Sequence, residues 1–253
     1  GTTKVHAKSN FDKGSLTLTL TQSCPKTPDG LQKKPFHMPI AFALFNAQGQ
    51  LIPAEQQILE LKETEQEFTF TGLDEKPVIS LLRGFSAPVQ LSHALEPKEL
   101  LFLLQYESDG YAKWQAASRL VIHCIHQAYK NHNANCHIPQ ELITAFKHLL
   151  VDNSQDMGLI AELLMPPSFE ELAQVLEGID VDLLERVRDS YRKTLGLALQ
   201  EPLLQVYKCL WEAEDHSMTG LAYARRKLRN LCLWLLVKSD ETAYLDLSIK
   251  QFD

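Results

Sequence analysis

The sequence predicts a multi-domain chain, β then α: an immunoglobulin-like β-sandwich over residues 1–97, then a solenoid-like α-helical array over 98–253. Two observations carry this. Up to Leu95 the apolar residues recur at every second position, and after Glu96-Pro97 they recur every 3.6 positions. The length of 253 residues also exceeds one typical domain of about 100–200 residues and suits two.

In the first part, Ser15-Leu-Thr-Leu-Thr-Leu-Thr21 alternates Leu16, Leu18 and Leu20 with hydroxyls. Only a half-buried strand puts all three leucines on one face. Ile40, Phe42 and Leu44 alternate with Ala41 and Ala43; Phe68 and Phe70 stand among Glu67, Thr69 and Thr71; Val89 and Leu91 repeat the pattern. Turn residues separate these runs at Thr27-Pro-Asp-Gly30, Asn46-Ala-Gln-Gly49, Gly72-Leu-Asp-Glu-Lys-Pro77 and Ala87-Pro88. About seven short strands in under 100 residues indicate a sandwich. No Cys…Trp…Cys arrangement is present, so the likeness to immunoglobulins is one of architecture.

In the second part, Trp114, Ala117, Val121, Cys124 and Ala128 follow the spacing of a buried helix stripe. Leu142, Phe146, Leu149 and Leu150 mark the next helix. Ser168 precedes Glu171 in the S-x-x-E pattern that starts a helix. Asp180 caps a helix whose inner face is Leu184, Val187, Tyr191, Leu195 and Ala198. Pro202, lacking a donor, breaks or kinks the helical segment around it. A last long helix is expected from about Thr219 to Val237. Short links between successive helices predict antiparallel hairpins stacked as an array. Tyr244, Leu245, Leu247, Ile249 and Phe252 keep the end apolar, which reads as an array cut short. Gly1-Thr-Thr-Lys-Val lacks an initiator Met and leads straight into a strand, so the chain reads as a processed or excised piece.

Composition is that of a globular protein, 45% hydrophobic and 23% charged. A net charge of −7 disfavours general nucleic-acid binding, and no apolar run reaches the roughly 18–20 residues needed to cross a bilayer. Cys24, Cys124, Cys136, Cys209 and Cys232 are odd in number and show no CxxC spacing, which reads as reduced thiols in the cytoplasm.

Candidate chemistry is sparse. His123-Cys124-Ile-His126, His132 and Cys136-His137 bring zinc-binding residue types together, but their spacing matches no finger or ribbon. Cys124 belongs to an apolar stripe, while His132, Cys136 and His137 lie in a polar Asn-rich link. The better reading is a core cysteine plus a solvated loop. Arg225-Arg226-Lys227-Leu228-Arg229 could bind anions. It reads better as a solvated or salt-bridged helix face backed by Leu228, Leu231, Cys232 and Leu235, with Glu212, Glu214 and Asp215 upstream to neutralise it. The carboxylates Glu170-Glu171 and Glu63/Glu65/Glu67 are not set apart from surface residues. Ser86 in Gly84-Phe-Ser-Ala-Pro88 is no nucleophile elbow, since Pro88 takes the second glycine's place. No G-x-G-x-x-G, P-loop or H-E-x-x-H occurs. We assign no catalytic, cofactor-binding or metal-ligating residue to this chain.

Particular strings are more specific. Thr27-Pro-Asp-Gly30, Pro35-Phe-His-Met-Pro-Ile40 running into Ala41-Phe-Ala-Leu-Phe45, Gln48-Gly49 and Leu82-Arg-Gly-Phe-Ser-Ala-Pro-Val89 are four of them. Ser108-Asp-Gly-Tyr-Ala-Lys-Trp-Gln-Ala116 and Arg226-Lys-Leu-Arg-Asn-Leu-Cys-Leu233 complete the set. In order and separation they resemble the M1 family of zinc metallopeptidases, in the region after the catalytic domain of bacterial aminopeptidase N. The resemblance covers essentially the whole chain. It implies that an upstream thermolysin-like domain holds the H-E-x-x-H zinc motif and the G-x-M-E-N segment. Residues 1–97 then correspond to the immunoglobulin-like domain and 98–253 to the first part of a helical array over the catalytic chamber. No position here matches either catalytic motif. The expected role is non-catalytic scaffold and cover, inactive alone, with no cofactor in this piece and zinc in the parent. Its partners are the catalytic domain of the same parent chain and peptide substrates, with no nucleic acid and no membrane. The alternative is an adaptor that binds a protein through a sandwich and solenoid.

Overall fold

The computed structural model describes residues 2–26, 30–31, 33–152, 156–174, 176, 178–212 and 217–252. Thr27, Pro28 and Asp29 of the first expected turn lie outside the described residues, as do Glu214 and Asp215 and the side chain of Phe252. The chain divides into two compact units, Gly1–Ala116 and Ala117–Asp253.

The first unit is an immunoglobulin-like sandwich. Its strands are β1 (Thr3–Asp12), β2 (Ser15–Ser23), β3 (Met38–Phe45), β4 (Leu51–Ile52), β5 (Ile58–Leu61), β6 (Glu65–Phe70), β7 (Val78–Leu81) and β8 (Val89–His93). One sheet has the order β6-β2-β1-β8, with β1 and β8 parallel. In the other, β3 pairs with β4, β5 and β7, all antiparallel. The alternation in β2 does what its period requires: Leu16, Leu18 and Leu20 are fully buried, and they pack with Ile40, Phe42, Leu44, Leu59, Leu61 and Leu81 in one core. Gln22 is a polar side chain buried in this unit. Its amide donates to the carbonyls of Phe36 (2.8 Å) and Glu63 (3.0 Å), and its oxygen accepts the Phe36 N–H (2.9 Å).

Two further helices begin after β8, α1 (Pro97–Tyr106) and α2 (Gly110–Lys130), and the unit boundary falls inside α2 rather than at Pro97. The physical reason is a set of ties from α1 and the start of α2 to the sandwich. Phe102 meets Phe45 edge to face (6.1 Å), Lys76 pairs with Glu99 (3.2 Å), and Arg83 pairs with Glu107 (3.0 Å). Asp109 caps α2 by accepting the Ala112 N–H (2.9 Å) and with its other oxygen accepts the Gly84 N–H (2.9 Å).

The second unit continues α2 and adds α3 (Gln140–Val151), α4 (Met157–Leu164), α5 (Phe169–Ala173), α6 (Val181–Ala198), α7 (Gln200–Glu212), α8 (Gly220–Ser239) and α9 (Glu241–Phe252). The expected caps are present: Ser168 and Glu171 form a reciprocal capping box, Asp180 accepts the Leu183 N–H, and Thr219 accepts the Ala222 N–H. Pro202 falls in the first turn of α7, where a missing N–H leaves no ladder bond unmade. The α3 stripe Leu142, Phe146, Leu149 and Leu150 is buried as expected.

Three positions differ from the sequence reading. Trp114 is half-buried while Ala116, Leu120 and Ile125 share the α2 stripe with Val121 and Cys124. Ala198 is exposed, because the stripe of α6 drifts to Gly196 and to Leu199 at its end. At the apolar end, Tyr244 is buried but Leu245 and Ile249 are exposed. Helix α8 is the hub of this unit, packing against α4, α6, α7 and α9.

Candidate functional site: the open face of helix α8

The His/Cys segment is dispersed. His123, His132 and His137 are exposed, whereas Cys124 faces the core of α2. The His126 imidazole is within hydrogen-bond distance of the Leu172 carbonyl (3.1 Å). Burial lowers its pKa below the ordinary histidine value, more than that bond raises it. Cys136 is not part of a solvated link but buried. Its N–H bonds Ser190 Oγ (2.9 Å) and its carbonyl accepts from Thr194 (3.4 Å). Burial pushes the thiols of Cys124, Cys136 and Cys232 up to about 11, 12 and 12, so they are neutral hydrophobes rather than nucleophiles. All five cysteines are free. Among the described residues no three His, Cys, Asp or Glu side chains are grouped to hold a metal ion. The residues present therefore do not fit a catalytic zinc.

Ser86, in the Phe-Ser-Ala-Pro string, accepts the Ala41 N–H (2.9 Å) and so pins the β8 approach to β3. The turn before it is strained, with Leu82 and Phe85 at φ of 62° and 51°. It is held by Arg83, which bonds Glu107 and Ser108 (3.1 Å). These strings are structural pins of the first unit.

The basic run on α8 is less uniform than a solvated face. Arg229 is buried and stacks over the Trp211 ring at 5.2 Å. Lys227 pairs with Glu162, and Arg226 donates to the Ser217 carbonyl (3.0 Å). At 3.6 residues per turn, Tyr223, Arg226, Lys227, Asn230, Leu231 and Trp234 fall on one side of the helix. With Met165 from the link after α4 they line an open cavity of about 530 Å³. The remaining positions from Leu228 to Leu236 are buried, so this is the face of α8 its neighbours leave open. Tyr223 and Met165 are 64% and 44% exposed, large for apolar-bodied residues. Trp234 is fixed from α6: the Arg192 guanidinium lies 5.4 Å over its ring and is itself held by Asp189 (2.6 Å) and Glu185 (3.3 Å). The Asn230 carbonyl oxygen accepts from Gln251 (3.0 Å), which leaves its amide hydrogens as donors. The sequence reading reached the cations but not Tyr223, Asn230, Trp234 or Met165. A 3-4-3-4 spacing of aromatic, cation, amide and aromatic was the available signal for the first three, and nothing local marks Met165.

An immunoglobulin-like domain followed by stacked helical repeats is the class this architecture defines, and comparison with known proteins agrees. The family described as a domain of unknown function, DUF3458_C, ARM repeats, matches residues 97–253. The one described as DUF3458, Ig-like fold, matches residues 1–94. The chain belongs to this family. Aminopeptidase N of Escherichia coli K12 is 32% identical over 263 aligned residues, covering all of this chain and 30% of that protein. Aminopeptidase N of Haemophilus influenzae is 29% identical, covering 93% of this chain and 28% of its own length. The resemblance to bacterial aminopeptidase N thus holds across the chain, which spans about 30% of the length of these curated relatives. The crystal structure of Legionella pneumophila aminopeptidase A, in complex with aspartic acid, matches the whole chain with a TM-score of 0.82 at 24% identity. That likeness shows the fold. Among the described residues no helix is long and apolar enough to cross a membrane.

Proposed function

We propose that this chain is the non-catalytic scaffold and cover of a parent M1-type aminopeptidase, a cytoplasmic zinc enzyme that removes N-terminal amino acids from peptides. In this reading residues 1–97 are the sandwich that carries the array, and residues 98–253 are helical repeats that cover the catalytic chamber. The partner is the catalytic domain of the same parent chain, and the zinc is held there. The observation that supports this is the match to aminopeptidase N along the full chain at 32% identity, confined to 30% of the relative's length.

Two measurements test it. The parent reading frame is expected to encode an upstream H-E-x-x-H; a frame without one favours an adaptor. The purified chain is expected to leave aminoacyl p-nitroanilides intact with or without added zinc. Metal-dependent turnover by this chain alone would overturn the reading.

A further inference from the structure

We propose that the open face of α8 binds a short extended peptide carrying an acidic side chain near its middle. The inference deepens the reading above and rests on it for one choice, peptide as the ligand class; the geometry supplies the rest.

Length comes first. From Tyr223 to Trp234 the face runs roughly 16 Å at about 1.5 Å per residue. An extended chain of about five residues covers that distance at about 3.3 Å each. The order of side chains then sets what such a peptide must offer. Tyr223 stands at one end of the face and Trp234 at the other, each able to cover an apolar side chain. Arg226 and Lys227 lie between them, one turn from Tyr223. Their existing bonds, to the Ser217 carbonyl and to Glu162, use part of a five-donor guanidinium and of a three-donor ammonium. In a chain of net charge −7 this wall carries two cations facing one carboxylate, so its complement is an anion. Asn230 lies one turn further on, and its amide hydrogens can donate to a peptide carbonyl whatever the sequence. Trp234 is held in place by Arg192, so the apolar wall is preorganised and little side-chain freedom is lost on binding.

The test is anisotropy of an N-terminally labelled, C-terminally amidated five-residue peptide with Leu at both ends and Glu in the middle. Its partner peptide carries Gln there, and both are titrated against the 253-residue chain. The Glu peptide is expected to bind roughly tenfold more tightly than the Gln peptide, the value of about one charge-assisted hydrogen bond, and to weaken with salt. Arg226→Gln and Asn230→Ala are each expected to weaken the Glu peptide by roughly five- to tenfold with unchanged circular dichroism. Lys193→Gln, an exposed site on α6, is expected to leave binding unchanged. Equal affinity for the two peptides, indifference to both variants, or no saturation up to about 1 mM, the weak limit of specific association, overturns the proposal. So does binding that appears only when the C-terminus is a free carboxylate. Because no hydrolysis is measured, failure here leaves the aminopeptidase reading standing, and a parent frame without H-E-x-x-H leaves the binding result standing.

Discussion

The sandwich and the helical array are both built on buried leucines, yet they restrain their polar groups in opposite ways. In the sandwich one buried amide, Gln22, joins three separate stretches of chain through bonds to Phe36 and Glu63. The strands it serves are paired across the sequence, β1 to β8 and β2 to β6. In the array most end groups are closed locally by Asp156, Ser168, Asp180 and Thr219, each within three residues of the amide it satisfies. Its buried cations, Arg192 and Arg229, are accommodated by lying over Trp234 and Trp211. A ladder of distant partners fails as a whole, whereas locally capped helices open one at a time.

The largest effects should separate the two cores. Leu18→Ala and Phe146→Ala each remove a fully buried side chain and are expected to destabilise by about 3 kcal/mol. Native-state hydrogen exchange should show Leu18→Ala accelerating the amides of β1, β2 and β6 together while those of α3 and α7 keep their protection. Phe146→Ala should do the reverse. If both variants loosen both units equally, the chain has one cooperative core and the contrast is wrong.

A glycine in each unit sharpens the point at smaller cost. A Cβ on Gly196 would stand 2.3 Å from the Leu235 carbonyl, because α6 and α8 touch there. Gly196→Ala is expected to cost about 2 kcal/mol by forcing those helices apart. Gly72 has open space around it but a φ of +75°, so Gly72→Ala is expected to cost about 1 kcal/mol through backbone strain alone. Urea midpoints rank the two, and a larger effect at Gly72 would show that the α6–α8 approach is not tightly packed.

How much of this the sequence displayed depends on range. The three leucines of β2, the capping box at Ser168 and the cap at Asp180 are local patterns, and each stands where its period or spacing placed it. The parallel pairing of β1 with β8 joins residues more than 80 positions apart, and no local pattern encodes it. Burial of charge was equally hidden: Arg229 sits in a run of cations that reads as solvated, and only the arrival of Trp211 from α7 makes its burial tolerable. Cys136 reads as part of a solvated link because its neighbours are asparagines, while its burial is decided by Ser190 and Thr194 of α6. The α8 face was half visible for the same reason, its cations being consecutive in sequence and its apolar walls coming partly from Met165.

Two serines give a finer version of the comparison. Ser86 Oγ accepts the Ala41 N–H across the sandwich, and Ser168 Oγ accepts the Glu171 N–H three residues on. Replacing either by Ala is expected to cost about 1 kcal/mol. The location of the loss is what distinguishes them. Ser168→Ala should speed exchange at α5 alone, whereas Ser86→Ala should lower the stability of β3 and its neighbours together.

The smallest expected effect is a pH dependence confined to the array. Burial holds the His126 pKa below its ordinary value, so the folded array prefers the neutral ring near the Leu172 carbonyl. The unfolded chain binds a proton at a higher pH than the folded chain does. Stability from this site is therefore complete above the ordinary histidine pKa of about 6.5 and declines as pH falls from there through the lowered folded value. Urea unfolding followed by α2 and α6 exchange at pH 7.5 and 5.5 should show a decline that His126→Gln reduces, since glutamine can still donate to Leu172 but does not titrate. The sandwich is the internal control, because its stability should respond identically to pH in both proteins. An undiminished decline in the variant would mean that other groups of the array, and not this imidazole, carry its acid sensitivity.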